Sequence, residues 1–357
     1  MIQFNFQSLP DLAGQRLMFG FDGQTLNSEL KHLIKEYRTG GIILFRPNIE
    51  SADQLRRLCM DARKYALDQG LPGLFIAVDQ EGGQVARLRK PFTEFPGNPH
   101  MNTREDAREF ARITASELSD MGINMNMAPV MDVVPPDVDS IMKDRAFAGD
   151  ANRVSQLGTT VIQGLQKGGV MAVAKHFPGI GRTVKDSHFF LPELDAELSD
   201  LKQTDLVPFE AAKKAQVSGI MLSHILYPKL DSLWQASLSK TIAYDLLRTD
   251  MGYQGLVMTD DLDMKAIRHD MDTCIHRIMT AQIDMALVCH TGPNIAEARD
   301  AVMRYLEKDR ELYESGRTCV KRILAAKGND FLVDTIFLAR ALNLAPARIH
   351  SLEQEQD

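Results

Sequence analysis

GVMAVAKHFPGIGRTVKDSH, residues Gly169 to His188, joins an unbroken apolar run to a polar loop, and that junction decides the fold. Val170 to Ala174 carry no polar side chain, so a strand there has no solvent face and must be covered on both sides, the condition of a parallel strand wrapped by helices. Lys175 and His176 follow at once and would stand at the strand's C-terminal end, where barrel enzymes present their chemistry. Further on, Asp186 and His188 lie two apart in a Gly- and Lys-containing loop. Such a carboxylate can hydrogen-bond the imidazole, orient it and raise its basicity, which makes the pair a candidate general acid/base.

Seven more runs share the apolar character: Arg16 to Phe21, Gly41 to Phe45, Leu74 to Val78, Ile123 to Val130, Gly219 to Leu222, Gly255 to Met258 and Asp284 to Val288. Amphipathic helical patterns separate them, as at Ser51 to Gln69, Thr103 to Met121, Asn152 to Lys167, Leu206 to Gln216 and Asn294 to Tyr305. Eight strand and helix units with no Gly-rich dinucleotide fingerprint predict closure into a single (β/α)8 TIM-type barrel of class α/β. The runs end in Asp22, Arg46, Asp79, Asp132, Lys175 with His176, Ser223 with His224, Asp260 with Asp261, and His290. Polar chemistry therefore gathers at one end. Residues 1–330 read as the catalytic barrel, and residues 331–357 as a helical extension (Phe331 to Leu342) and polar tail, not a separate domain.

The net charge of -7 over 357 residues argues against nucleic acid or an anionic membrane as partner, since both call for a basic surface. Four scattered cysteines, Cys59, Cys274, Cys289 and Cys319, form no metal or redox pair and read as reduced packing residues. The first residues lack the basic and apolar regions of a secretory signal, so the expected location is the cytoplasm, and a monomer is the expected state.

Three segments carry candidate chemistry. In AVDQEGGQVARLR, Asp79 can accept two vicinal sugar hydroxyls while Arg87 supplies forked donors, although Asp79 as a turn cap over Gly82 and Gly83 explains the segment equally well. In SIMKDRAFAGD, Arg145 has the reach to enter the barrel mouth, against a plain salt bridge to Asp144 or Asp150. In GLVMTDDLDMKAI, strand alternation lets only one of Asp260 and Asp261 face the mouth without a twist; Asp260 is the choice, with Asp261 supporting it or capping the next helix. His224 and His290 stay unassigned. No HxH, HExxH or cysteine pair offers ligand spacing, and Lys175 beside His176 would repel a cation, so neither metal nor cofactor is expected.

KHFPGIG followed by DSH, with VDQEGG upstream and MTDDLDM downstream, resembles glycoside hydrolase family 3, and within it the single-domain bacterial β-N-acetylglucosaminidases of cell-wall recycling. FRPNIES, MAPVMDV and ASLSK are further family traits, and the likeness runs from about Gly20 to Val288. The resemblance implies a retaining hydrolase with Asp260 as nucleophile, His188 as general acid/base and Asp186 as its partner, while Asp79, Arg87, Arg145, Lys175 and His176 hold the terminal N-acetylglucosamine. Two departures stand out: Ile180 replaces the family's second histidine of KHFPGHG, and Thr259 replaces the serine before the nucleophile. A phosphorylase on the same scaffold, a β-glucosidase and a non-catalytic sugar-binding barrel are the competing readings. The β-glucosidases commonly carry a Trp where this chain has Asp261.

Overall fold

The computed structural model describes residues 8–184 and 191–341, with side chains as far as Gly328. Ten strands occur among the described residues: β1 (Leu17–Phe19), β2 (Gly41–Leu44), β3 (Phe75–Val78), β4 (Gln80–Gly82), β5 (Val85–Ala86), β6 (Met125–Asn126), β7 (Met171–Phe177), β8 (Gly219–Leu222), β9 (Leu256–Asp261) and β10 (Met285–Val288). All except β4 and β5 are parallel and close into an eight-stranded barrel in chain order, β10 returning to β1. The α/β barrel is thus as expected. Strand β4 pairs antiparallel with β5 in a hairpin beyond β3, which the sequence reading did not foresee. Gly82 and Gly83 turn it at φ 86° and 60°, a left-handed conformation in which a side chain would be strained.

Each barrel strand buries both faces, which is why its sequence does not alternate in polarity. Inward-facing residues form their own cluster, including Met18, Ile43, Phe75, Met125, Met127, Val173, Met221, Met258, Met285 and Leu287. Methionine's unbranched side chain suits such an irregular interior. The outward faces join a larger core with the surrounding helices. Three of those helices begin on side-chain caps: Ser51 accepts from Gln54 N before α1 (Ala52–Asp68), Thr103 forms a capping box with Asp106 before α2 (Arg104–Asp120), and Asp150 caps α3 (Ala151–Lys167).

The lower end is plugged by a long C-terminal helix, Arg310–Ala341. Ile323 joins the barrel-interior cluster, and Lys327 Nζ donates to Gln15 Oε1 at 2.8 Å and Gly40 O at 2.7 Å while lying 4.8 Å from the Phe75 ring centre. The helix runs across the expected boundary at residue 330 without a break.

Most barrel strands begin and end within two residues of their expected bounds, and three depart further. The run Ile123 to Val130 yields only β6 and an isolated bridge from Val130 to Lys175, because Pro129 has no N–H to give the ladder. Asn124 and Asn126 patch the gap: Asn124 accepts from Ile76 N and donates to Leu74 O, and Asn126 accepts from Gln80 N and donates to Gln80 O. Strands β7 and β9 instead run past their expected ends to Phe177 and Asp261. Lys175, His176, Asp260 and Asp261 therefore lie within strands rather than after them.

Candidate active site

Both of those extended strands bulge. Ala174 and Phe177 of β7 pair with Ile220 and Leu222 of β8, and Met258 and Asp261 of β9 pair with Met285 and Leu287 of β10. One extra residue on β7 and β9 breaks the strict alternation of side chains and re-aims them locally. Consecutive residues then reach the same opening: Lys175 with His176, and Asp260 with Asp261, all line a cavity of about 510 Å³ at the C-terminal end of the barrel. The bulge supplies the local twist that lets both Asp260 and Asp261 line the mouth. Thr259 makes it possible, since its Oγ1 accepts from Leu287 N at 3.1 Å and so occupies a ladder donor. The threonine therefore keeps a hydroxyl at work where the family pattern has serine.

One wall of the cavity is a chain of alternating charges. Arg87 donates to Asp79 at 3.1 Å; Lys175 Nζ lies 2.8 Å from Asp79 and 2.6 Å from Glu81; Arg145 grips Glu81 with two bonds, at 2.7 and 3.1 Å. Burial pushes the Asp79 carboxyl up, but Lys175 and Arg87 outweigh it and hold Asp79 well below the ordinary value. Glu81 is lowered in the same way, burial being overcome by Lys175 and Arg145, and Lys175 is raised because Asp79 and Glu81 outweigh the cost of burying its ammonium. All these groups stay ionised near neutral pH. Arg145 thus enters the barrel mouth, and its partner is Glu81 rather than Asp144 or Asp150.

His176 stands next to this wall. Its Nδ1 is 2.8 Å from Asp132, whose other oxygen accepts from Ile180 N at 2.8 Å, leaving Nε2 in the cavity 3.5 Å from Arg145. Asp132 is fully buried and fixes the ring's orientation. Ile180, in place of the family's histidine, contributes an apolar side chain to the cavity wall while its backbone holds Asp132.

Opposite lies Asp260. Burial would raise its carboxyl, yet His224, His176, the Asp261 N–H and Lys175 together lower it, so the group is an anion poised beside the cavity. Its neighbour behaves differently. Burial, helped by the charges of Asp263 and Asp260, pushes Asp261 up to about 6 despite two backbone donors, Asp263 N and Cys289 N.

Of the expected site residues, the structure brings together Asp79, Arg87, Arg145, Lys175, His176 and Asp260 around one cavity. Asp186 and His188 lie outside the described residues. Glu81, Asp132 and His224 escaped the sequence reading as site residues. Glu81 had a signal, because residues two apart on an extended chain share a face and Asp79 and Glu81 are so spaced.

The model of the glycosyl hydrolase family 3 N terminal domain matches residues 9–324. The chain belongs to glycosyl hydrolase family 3. A beta-hexosaminidase of Pseudomonas aeruginosa is 33% identical over 294 residues, covering 81% of this chain and 86% of the relative. Among solved structures, a family 3 beta-N-acetylglucosaminidase from Paenibacillus superposes with a TM-score of 0.88 at 36% identity, over 92% of this chain; this chain spans 63% of that one. NagZ from Neisseria gonorrhoeae, solved with N-trifluoroacetyl-D-glucosamine, aligns with a TM-score of 0.70 at 26% identity over 86% of this chain and 98% of its own. As a family 3 hydrolase the chain is a glycoside-cleaving enzyme, and its cavity sets the Asp260 carboxylate facing a wall of paired charges. No helix among the described residues is long and apolar enough to cross a membrane.

Proposed function

We propose that the protein is an exo-acting, retaining β-N-acetylglucosaminidase that removes terminal N-acetylglucosamine from muropeptide fragments in the cytoplasm during cell-wall recycling. The observation that carries the reading is the ionised Asp260 set across one cavity from the Asp79–Lys175 pair. In this reading Asp79 accepts from adjacent ring hydroxyls, while Arg87, Arg145, Lys175 and His176 donate to the sugar and hold its anomeric carbon over Asp260. Asp260 attacks that carbon, the glycosidic bond breaks, and a covalent glycosyl-enzyme forms. His188, oriented by Asp186, protonates the leaving oxygen and then takes a proton from the water that releases the sugar. That assignment rests on the resemblance in sequence. The names of the Pseudomonas and Paenibacillus relatives support the N-acetylhexosaminide as substrate.

The test is trapping with a 5-fluoro N-acetylglucosaminide followed by peptide mass mapping. A label on Asp260 is the expected result; a label elsewhere sinks the nucleophile assignment. Free sugar as the sole product in phosphate buffer separates hydrolysis from phosphorolysis, which would yield the sugar 1-phosphate.

A further inference from the structure

His224 and Ser237, the latter within the ASLSK segment, have no part in the mechanism above, yet both are buried beside it. His224 follows β8 and lines the catalytic cavity. Its Nε2 is 2.8 Å from the backbone oxygen of Asp261, and its Nδ1 is 2.6 Å from Ser237 Oγ. A carbonyl oxygen can only accept, so Nε2 carries the hydrogen; in the neutral ring Nδ1 then accepts from the Ser237 hydroxyl. The same Asp261 peptide residue turns its N–H the other way and donates to Asp260 Oδ1 at 2.8 Å. Asp261 is thereby held at both backbone ends, and its side chain is held as well by Asp263 N at 3.0 Å and Cys289 N at 3.0 Å.

This continuity matters because Asp260 stands on a bulge, where the sheet ladder no longer dictates direction. We infer that Ser237 and His224 form a positioning relay that fixes the Asp261 backbone and, through its N–H, the angle at which the Asp260 carboxylate meets the substrate. The inference rests on Asp260 being the nucleophile. The rigid ring of His224 spans from the Ser237 hydroxyl, in the short 3-10 helix Ala236–Leu238, to a carbonyl on the neighbouring strand β9, and it places an imidazole near the carboxylate. Among the described residues, His176 and Lys175 on β7, Asp261 on β9 and Cys289 after β10 also interact electrostatically with Asp260.

The experiment compares His224→Leu, His224→Gln and Ser237→Ala with the parent enzyme on an aryl N-acetyl-β-glucosaminide, recording kcat, KM, product inhibition by N-acetylglucosamine and thermal unfolding. A misaligned nucleophile should lower kcat about 100-fold in His224→Leu and about 10-fold in Ser237→Ala, with KM and product inhibition nearly unchanged. The Gln amide can still donate to the Asp261 carbonyl, so His224→Gln should recover kcat to within about 5-fold of the parent. Three results overturn the relay: an unchanged kcat in His224→Leu, a loss expressed in KM alone, or a folded His224→Gln as inactive as the leucine variant. If His224→Leu does not fold, Ser237→Ala decides, and an unchanged kcat there rejects the proposal. Fluoroglycoside labelling of the parent enzyme keeps the two readings apart: a label off Asp260 means the nucleophile assignment has failed, whereas a label on Asp260 with parent-like variants means the relay alone has failed.

Discussion

Asp260 and Asp261 are sequence neighbours with opposite proton affinities, the first lowered and the second raised to about 6. The raised group makes a signed prediction. Between the ordinary carboxylate value of 3.8 and about 6, folded Asp261 binds more proton than the unfolded chain does, so its contribution to stability falls as pH rises through that window. Asp261→Asn, which keeps an oxygen for the Asp263 and Cys289 N–H groups, should stabilise the fold by on the order of 2 kcal/mol at pH 8. The gain should vanish towards pH 4, and urea unfolding at both pH values measures it. Glu81 has the reverse sign, its carboxyl lowered, so its contribution is full above the ordinary glutamate range and is lost as pH falls below it. Glu81→Ala leaves buried Lys175 and Arg145 short of a partner and should cost about 3–5 kcal/mol near neutral pH; a cost under 1 kcal/mol would show that these cations find other partners. At this scale the sequence was legible where a residue stood at a strand's end, as with Asp79, Lys175 and Asp260. Asp132 and His224 also stood at such ends, but their tasks depend on Nδ1 and carbonyl partners 37 to 44 positions away, and no local pattern announces those.

At the level of elements, the paired bulges of β7 and β9 account for most of what separates expectation from structure. The extra residues fall just past the apolar runs, among Lys175 and His176 and among Thr259 and Asp260, where no alternation is left to mark a change of register. The eight runs and the helices between them could be read because burial on both faces removes alternation, but the bounds of a short strand such as β6 could not, because Pro129 and the asparagine patches interrupt its run. Thr259→Val tests the bulge directly. The isosteric change removes the acceptor for the buried Leu287 N–H and should cost about 1–3 kcal/mol, with kcat reduced because Asp260 is the next residue. Chemical denaturation and steady-state kinetics check the two parts; an unchanged midpoint would mean that the Leu287 N–H has another acceptor.

Over the whole molecule, the two ends of the barrel divide the labour. The upper end gathers ionised side chains, and the lower end is closed by the helix Arg310–Ala341 through Ile323 and Lys327. We propose that residues 1–330 suffice as the catalytic unit and that 331–357 form an extension of it. A chain ending at Asp330 keeps Ile323 and Lys327, and should unfold within about 1 kcal/mol of the full chain with unchanged kcat/KM. A loss of several kcal/mol would assign the extension to the fold itself.

The row Arg87, Asp79, Lys175, Glu81 and Arg145 sets two anions between three cations, and Asp260 across the cavity supplies the third anion before any sugar arrives. An uncharged ring entering it neither brings nor removes charge, and adding electrolyte to the solvent has little to screen in so sheltered a network. Monosaccharide affinity should therefore be nearly indifferent to ionic strength, an unusual property for a pocket so dense in formal charge.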